Sequence, residues 1–324
     1  MIIASTSRGI ICFSDDGEVL SRALRGRDIG HIAFTSNGRL MAVADENTIL
    51  LGPHPDQAWA DEMWQRLGTL QHRANCLCQH RDRIFAGAAD ARMYVVQSSE
   101  TTAARKLESF DRAPTRQEWD TPWGGPPDVR SLAAIEDSDT PALYADIHVG
   151  GIMRSFDAGQ SWSAATGTLH RDVHRVETHP DLPDTVFAAT QQGFFRSDDR
   201  GDTWKGVLAP FLPRNYQRAV VIDCDDPDLL LVTASLGPHP DGETGCEGQI
   251  FRSVDGGSSF STAHGGLPEH FYHNLDTHLI AASRTVSGLF AFHDDERTLF
   301  VTSNGARRWD PIATVEDVTT VLVV

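Results

Sequence analysis

The sequence predicts an all-β fold. Short runs of β-branched and aromatic residues alternate with turns rich in Gly, Asp, Ser and Pro along the whole chain, a pattern typical of short antiparallel strands. Helical periodicity is scarce, and only residues 61–67 and 101–107 could form short helices. Because the chain has no strand–helix–strand rhythm, a parallel sheet flanked by helices is excluded.

Length and charge narrow the class of protein. The chain has 324 residues, and its 28 Lys and Arg are outnumbered by 45 Asp and Glu, which gives a formal net charge of −17. With 40% hydrophobic and 23% charged residues, the composition is that of a globular protein and not of a disordered one. Since such an acidic surface repels phosphate groups and anionic lipids, we expect neither nucleic acid nor a membrane as a general partner.

Several features bear on the cellular location. The first residues, MIIASTSRGIICFSDDGEV, lack the basic and apolar regions of a secretory signal, and no apolar stretch approaches the length of about eighteen residues that a membrane span needs. The cysteines are scattered and odd in number, unlike a disulfide framework. Cys76 and Cys78 are interpreted as small buried strand residues, since no second pair completes a zinc site. We therefore expect a reduced, cytoplasmic protein.

A repeated motif is the most specific feature of the chain. Three segments align without gaps: RSFDAGQSW (154–162), RSDDRGDTW (196–204) and RSVDGGSSF (252–260). A fourth, TSNGARRW (302–309), keeps only the aromatic end. In each intact copy the Asp can accept backbone N–H groups of a hairpin turn, and the Gly supplies a positive φ. The final aromatic residue is predicted to start the outer strand and pack between sheets.

These segments match the pattern S-x-D-x-G-x-[ST]-W and resemble the Asp-box (BNR) repeat of sialidase-like β-propellers of the WD40/YVTN/BNR type. The resemblance implies that each box is a structural device on the hairpin between the third and fourth strands of a blade, far from the ligand face. Asp157, Asp199 and Asp255 are therefore not candidates for catalysis.

The spacing of the boxes predicts the number of blades. Successive boxes are 42, 56 and 49 residues apart, and the longest interval contains a Gly- and Pro-rich insertion at 236–248. Blades of about 45 residues give seven in all, with six as the second choice. Weaker blades are predicted at 31–51 with an outer strand at 64–70, and at 73–96 with an outer strand at 106–110.

The two ends of the chain are predicted to pair. The apolar strand at 315–324 has no partner of its own and fits beside the strand that starts MIIAS. Pairing of the N- and C-terminal strands would close the ring and leave no large sheet edge exposed. We therefore predict one domain over residues 1–324, a seven-bladed β-propeller.

Histidines gather on one face of this predicted propeller. In propellers of this type, the loops that enter each inner strand and the loops between second and third strands surround the channel mouth. Converging neutral imidazoles could bind a divalent transition metal, with Zn, Fe, Cu or Ni all compatible, and arginines at the same mouth could anchor an anionic substrate. The candidate metal ligands are His148, His174, His239 and His273. The candidate catalytic residues are His148, His174, His273, Arg130 and Arg218.

A long loop supports a site at the mouth. Residues 111–127 are predicted to overhang it and carry Trp119 and Trp123, of which Trp119 is the better candidate for a packing residue. Three interpretations of the mouth stay open. It could bind a metal, it could bind a small ligand through His and Arg without a metal, or its polar residues could simply be solvated.

Three functions are compatible with these features. The resemblance implies a sialidase or another glycoside hydrolase, and Arg130, Arg175 and Arg218 could form an arginine cluster, but the early x-R-[IL]-P motif of sialidases is missing. A glycosidase also needs a pair of carboxylates, and no motif singles out a pair. The carboxylates on the predicted face are Asp128, Asp172, Glu269 and Asp294.

The second function, which we prefer, is a metal- or histidine-dependent protein that binds or converts a small polar or anionic molecule. The third is a non-catalytic propeller that docks a protein partner or serves in assembly. Neither a phosphate-binding glycine loop nor a G-x-S-x-G motif is present, so nucleotide and serine-hydrolase chemistry have no support.

Overall fold

Seven antiparallel four-stranded sheets make up the described part of the computed structural model, residues 1–57, 59–97, 104–136, 139–294 and 296–324. Each sheet is one blade, and the inner strands of successive blades contact one another around a ring. The prediction of an all-β, seven-bladed propeller is confirmed.

The strands follow a single pattern in every blade, from an inner strand at the channel to an outer strand at the rim. In that order, blade 1 contains β28 (Val318–Val323), β1 (Ile2–Thr6), β2 (Gly9–Phe13) and β3 (Val19–Ala23). Blade 2 contains β4 (Ile29–Phe34), β5 (Leu40–Ala44), β6 (Thr48–Leu51) and β7 (Gln65–Thr69). Blade 3 contains β8 (Ala74–His80), β9 (Arg83–Ala88), β10 (Arg92–Gln97) and β11 (Arg105–Lys106).

The second half of the ring repeats the pattern. Blade 4 contains β12 (Val129–Ile135), β13 (Ala142–Ile147), β14 (Gly151–Ser155) and β15 (Ser163–Ala164). Blade 5 contains β16 (Val173–His179), β17 (Leu182–Thr190), β18 (Gly193–Ser197) and β19 (Lys205–Val207). Blade 6 contains β20 (Tyr216–Ile222), β21 (Leu229–Ser235), β22 (Gln249–Val254) and β23 (Ser261–Thr262). Blade 7 contains β24 (Ile280–Ala282), β25 (Phe290–His293), β26 (Thr298–Thr302) and β27 (Asp310–Thr314).

Helical segments in the described residues are short. The α-helix α1 spans Glu108–Asp111, and single 3-10 turns lie at Asp61–Met63, Ala89–Ala91, Arg116–Glu118 and Ala209–Phe211. The helix predicted at 61–67 is wrong beyond its first turn. Leu67 is buried, and its segment forms the outer strand β7 because that conformation places Leu67 in the core beside the neighbouring blade.

Two predictions around residue 105 also need correction. The helix suggested at 101–107 begins outside the described residues, and its later part is the strand β11. The outer strand predicted at 106–110 ends at Lys106, and α1 follows it. The helix turns the fully buried Phe110 inward, where its ring lies 4.9 Å from that of Trp162.

The ring closes through blade 1. Strand β28 pairs antiparallel with β1, so that Ile2 faces Val323 and Ser5 faces Thr320. Ile2 and Val323 are completely buried, which explains why the apolar end of the chain needs this partner. The predicted pairing of the terminal strands is confirmed.

The three intact Asp-boxes form the hairpins between third and fourth strands. In the first box Ser161 donates to the Asp157 carboxylate from its backbone N–H (2.8 Å) and its hydroxyl (2.6 Å). Gly159, at φ +82°, donates its N–H to Ser155 Oγ at 2.8 Å. The other two boxes repeat these bonds. In each box the carboxylate thus accepts a backbone N–H, as expected, and in addition two hydroxyl groups, which in the first box are those of Ser155 and Ser161.

Bulges at the start of the inner strands shape the opposite end of the ring. In four inner strands one extra residue stands unmatched against the second strand, namely Gly30, Asn75, His174 and Arg218. In β12 the irregularity spans Arg130 and Ser131, whose backbone N–H groups both donate to Asp146 Oδ1 at 3.0 Å. Because a bulge bends the strand and redirects its side chains, these residues stand at the channel mouth.

Candidate functional site

A cavity of about 530 Å³ opens at the channel mouth. Its walls come from the loops that enter inner strands β12, β16, β20 and β24, and from loops between second and third strands. Volume and position suit a small-molecule site. The charged and histidine side chains that line it are Arg130, His148, Asp172, Arg218, His239, His273 and Asp276.

The residues named from the sequence are brought to one region. Five of the six line the cavity, and His174 lies directly behind its wall, completely buried. The insertion that carries His239 is attached to the loop of His273, since Asn274 Nδ2 donates to the carbonyl of Pro238 at 2.7 Å. Their catalytic or metal-binding roles stay predictions.

Three of the side chains form a tight cluster, which we call the His–Asp cluster: His148, Asp172 and His174. One potential ligand atom from each lies within 4.8 Å of the others. Asp172 Oδ1 is 3.3 Å from His174 Nε2 and 3.6 Å from His148 Nε2. His239 and His273 line the same cavity but do not belong to this cluster.

The ring of His174 has a defined tautomer. Its Nδ1–H donates to the backbone carbonyl of Gln217, so in the neutral ring Nε2 carries a lone pair. Within the described residues, neither His174 Nε2 nor Asp172 Oδ1 makes a hydrogen bond, although both atoms are buried. Two acceptor atoms therefore face each other in the wall of the cavity.

Burial sets the charges of the cluster. It lowers the pKa of His148 well below its usual value, and the positive charge of Arg130 acts in the same direction. Burial also lowers the pKa of His174, despite the carboxylate of Asp172 beside it. For Asp172 burial favours the protonated form, but its interactions with His174 and His148 and the positive charge of Arg130 together outweigh burial, so the pKa lies below its usual value. Near neutral pH the cluster thus holds two neutral rings and one carboxylate.

The turn that carries His148 is strained. Val149, a β-branched residue, has φ +60°, in the left-handed region that such residues rarely adopt. The turn is held by the N–H of Gly150, which donates to Ile147 at 2.8 Å, and by the N–H of His148, which donates to Asp128 at 3.0 Å. Surrounding structure thus enforces the position of His148, as is common at functional sites.

The arginines of the cavity differ in their partners. Arg218 Nε donates to Asp276 Oδ1 at 3.0 Å, and this arginine holds the pKa of Asp276 below its usual range although burial opposes it. The two charges thereby cancel. Arg130 Nη1 is buried and makes no hydrogen bond within the described residues. Burial and the neighbouring Arg218 both lower the pKa of the Arg130 guanidinium.

The three-arginine cluster expected for a sialidase does not form. Arg175 lies in the axial channel, where it donates to the carbonyl of Thr277 at 2.7 Å and contacts Glu177 at 3.0 Å. The bulge in β16 explains the difference, because the extra residue His174 takes the place at the mouth and Arg175 faces the channel.

Of the carboxylates considered from the sequence, only Asp172 lines this cavity. Asp128 pairs with Arg73 at 3.0 Å, and Asp294 accepts three backbone N–H groups of its own turn. Glu269 lies outside the lining. Asp276, which was not predicted from the sequence, follows His273 in the same loop. Its position as an acidic residue shortly before an inner strand was the feature of the sequence that could have identified it.

The two tryptophans of the long loop have different roles. Trp119 is buried, and its ring lies 5.4 Å from that of Phe110, so it is a packing residue. Trp123 is 68% exposed and its ring lies 5.1 Å from that of His148. Arg171 connects the loop to the turn of His148 by donating hydrogen bonds to the carbonyls of Glu118 (2.8 Å) and Val149 (2.9 Å). Trp123 therefore forms an exposed wall of the cavity.

Comparisons with known proteins support the type of fold and leave the family open. The family model described as Sortilin, neurotensin receptor 3 (Sortilin-Vps10) matches residues 150–273. A vacuolar protein sorting/targeting protein 10 from Mycosarcoma maydis is 32% identical over 84 residues, 26% of this chain and 6% of that protein. A xyloglucanase from a Paenibacillus species is 28% identical over 149 residues, 39% of this chain and 14% of that enzyme. The chain thus spans a small part of these relatives.

The crystal structure of an ancestral GH74 enzyme superimposes with a TM-score of 0.62 and 13% identity, over 99% of this chain and 39% of that one. These findings agree with an Asp-box-type β-propeller in general terms. They contradict the expected cytoplasmic location, because the matched relatives are by name sorting and targeting proteins of the vacuole. The lack of the basic and apolar regions of a secretory signal in the first residues was not a sufficient basis for that prediction.

No helix among the described residues is long and apolar enough to cross a membrane.

Proposed function

We propose that the mouth cavity binds a small anionic molecule. One observation carries the proposal. The buried Nη1 of Arg130 lacks a hydrogen-bond partner among the described residues, at a cavity that Arg130 helps to line. A buried charged donor without a partner costs free energy, so an anionic ligand would stabilise Arg130 by supplying the hydrogen-bond acceptor that the described residues do not provide.

The surroundings of Arg130 favour a single anchoring charge. Arg218 is neutralised by Asp276, and the nearby imidazoles are neutral because burial lowers their pKa. Of the two arginines among the described residues that line the cavity, Arg130 is therefore the one that forms no ion pair, although the carboxylate of Asp172 lines the same cavity. The exposed ring of Trp123 supplies an apolar wall for the rest of the ligand.

Anion binding can be tested with inorganic phosphate and malonate as probes. Both are titrated into EDTA-treated protein, and binding is followed by calorimetry and by the intrinsic tryptophan fluorescence, to which the exposed Trp123 contributes. Because a hydrogen bond to a charged group contributes about 1.5–3 kcal/mol, Arg130→Met should weaken binding about ten-fold or more, and Arg130→Lys should weaken it less.

Arg22→Met is the matched control, since Arg22 is exposed on the outer strand β3, outside the lining of the cavity. It should bind both probes like the wild type. Equal affinities of the wild type and Arg130→Met would show that Arg130 is not the anchor, and absence of binding to both probes would refute a general anion site.

A glycoside hydrolase is a second candidate, favoured by the match to a xyloglucanase. Asp172 and Asp276 share the cavity, but the pKa of each lies below its usual value, because burial, which favours the protonated form, is outweighed by neighbouring groups that favour the carboxylate. A glycosidase needs one carboxylic acid with a raised pKa as proton donor. Release of reducing sugar from xyloglucan by the wild type, abolished in Asp172→Asn, would support this candidate over simple binding.

A protein-docking propeller is a third candidate, favoured by the Sortilin-Vps10 match, which includes the segments of Asp172, His174, Arg218 and His239. A docking protein would keep its partner after Arg130→Met. Loss of anion binding without loss of the partner would therefore separate the two functions.

A further inference from the structure

We propose that the His–Asp cluster binds one divalent transition-metal ion through His148 Nε2, Asp172 Oδ1 and His174 Nε2. This donor set differs from the four histidines named from the sequence, because Asp172 enters it and His239 and His273 leave it. The inference goes beyond the proposed anion site and does not depend on it.

The distances within the cluster carry the proposal. A tetrahedral ion with bonds of about 2.0–2.1 Å to nitrogen and oxygen separates its ligand atoms by about 3.3–3.4 Å. Asp172 Oδ1 lies 3.3 Å from one imidazole nitrogen and 3.6 Å from the other. Two of the three distances between donor atoms are therefore close to those of a coordination tetrahedron, and the third, between the two imidazole nitrogens, lies within 4.8 Å.

The orientation of His174 is a second, independent observation. Its ring is completely buried, and the carbonyl of Gln217 holds Nδ1–H, so the lone pair of Nε2 is directed toward Asp172. A backbone carbonyl that orients a histidine in this way is a usual outer-shell partner of a metal ligand. Two buried acceptors 3.3 Å apart repel each other unless a cation, either a proton or a metal ion, lies between them.

The chemistry of the donors narrows the ion. Two imidazoles and one carboxylate suit Zn²⁺, Fe²⁺, Co²⁺ and their neighbours, whereas Mg²⁺ and Ca²⁺ prefer oxygen ligands. Three protein ligands leave one or more positions open, and His148 and Asp172 line the cavity. A water molecule or an anion could occupy the open side, where the positive charge of Arg130 also acts.

The test is a titration of the EDTA-treated protein with CoCl₂, followed by visible absorption, and then competition with ZnCl₂. We expect one Co²⁺ per chain, with the intense ligand-field bands of low coordination that Zn²⁺ abolishes. Asp172→Asn and His148→Gln should each weaken Co²⁺ binding at least 100-fold. Far-UV circular dichroism and urea unfolding test whether each variant folds. A third variant, His174→Gln, changes a completely buried side chain, and if it does not fold, Asp172→Asn and His148→Gln still test the site.

Matched controls are His239→Gln and His273→Gln, which change histidines of the same cavity outside the cluster. Both should bind Co²⁺ within three-fold of the wild type. The proposal is overturned if the wild type shows no saturable binding of one ion, if Asp172→Asn binds like the wild type, or if the controls lose as much affinity as the cluster variants. Phosphate binding is measured on metal-free protein, so a negative result for Co²⁺ binding does not affect the test of Arg130. A negative result for phosphate binding likewise does not affect the test of the metal site.

Discussion

The Asp-box of blade 5 allows a quantitative prediction of acid sensitivity. Asp199 accepts the backbone N–H of Thr203 at 2.8 Å, the hydroxyl of Thr203 at 2.6 Å and the hydroxyl of Ser197 at 2.8 Å. The Thr203 hydroxyl and N–H lower the pKa of Asp199 to about 2 in the folded protein, from the ordinary 3.8. The folded state therefore binds the proton more weakly than the unfolded state.

The sign and the size of the effect follow from this difference. A carboxyl group with a depressed folded-state pKa stabilises the fold fully above about pH 4, and its contribution is lost as the pH falls toward 2. Nearly two pKa units correspond to about 2.5 kcal/mol, which solvent screening at this exposed turn reduces to about 1 kcal/mol. Roughly half of that amount should remain at pH 3.

The assay is urea unfolding of the wild type and Asp199→Asn at pH 7, 5 and 3, with linear extrapolation of the free energy of unfolding. Asn keeps the shape of the side chain and removes its charge. We expect the variant to be less stable by about 1 kcal/mol at pH 7 and by about half as much at pH 3. Asp241→Asn, in the exposed insertion between β21 and β22, is the control and should show no such pH dependence.

A difference between the wild type and Asp199→Asn that stays constant from pH 7 to pH 3 would refute the reasoning. So would a variant as stable as the wild type at pH 7. Either result would mean that the hydrogen bonds of the box do not favour the charged form of Asp199.

Further predictions concern packing and charge pairing. Trp309 is completely buried with its ring 5.0 Å from that of Phe292, so Trp309→Ala should lower the free energy of unfolding by about 3–5 kcal/mol. Trp123 is largely exposed, so Trp123→Ala should lower it by less than about 1 kcal/mol. Urea unfolding at pH 7 measures both changes. Asp276→Asn removes the partner of Arg218 and should strengthen phosphate binding in calorimetry by at least three-fold. Unchanged or weaker binding would show that Arg218 does not face the ligand.

The fold could be predicted from the sequence because its signals are local. Each Asp-box lies within nine residues, and the alternation of strands and turns needs no knowledge of the rest of the chain. Closure by β28 was also predictable, since an apolar strand without a neighbour in sequence must find one elsewhere. The short segment around Phe110 was not, because its conformation is decided by a contact with Trp162 in the next blade.

The site was predictable in position and less so in composition. Loop order placed His148 and His174 at the mouth, as the structure does. The bulge that turns His174 into the wall behind the mouth cavity and Arg175 into the channel leaves no mark on the strand pattern, so the arginine cluster was wrongly predicted. The pairing of Arg218 with Asp276 joins strand β20 of blade 6 to the loop that enters β24 of blade 7, so it is visible only in the three-dimensional structure.

The bulges separate the residues that fix the register of the inner strands from the residues that determine the chemistry of the mouth. An unmatched residue belongs to no strand pair, so its side chain can be exchanged without altering the register on either side. Gly30 occupies the bulge of β4, and a Cβ atom there would meet nothing within 4 Å. A carboxylate or an imidazole could therefore be introduced on that wall of the mouth, which makes the ring of bulges a natural place for new specificities to arise in evolution or design.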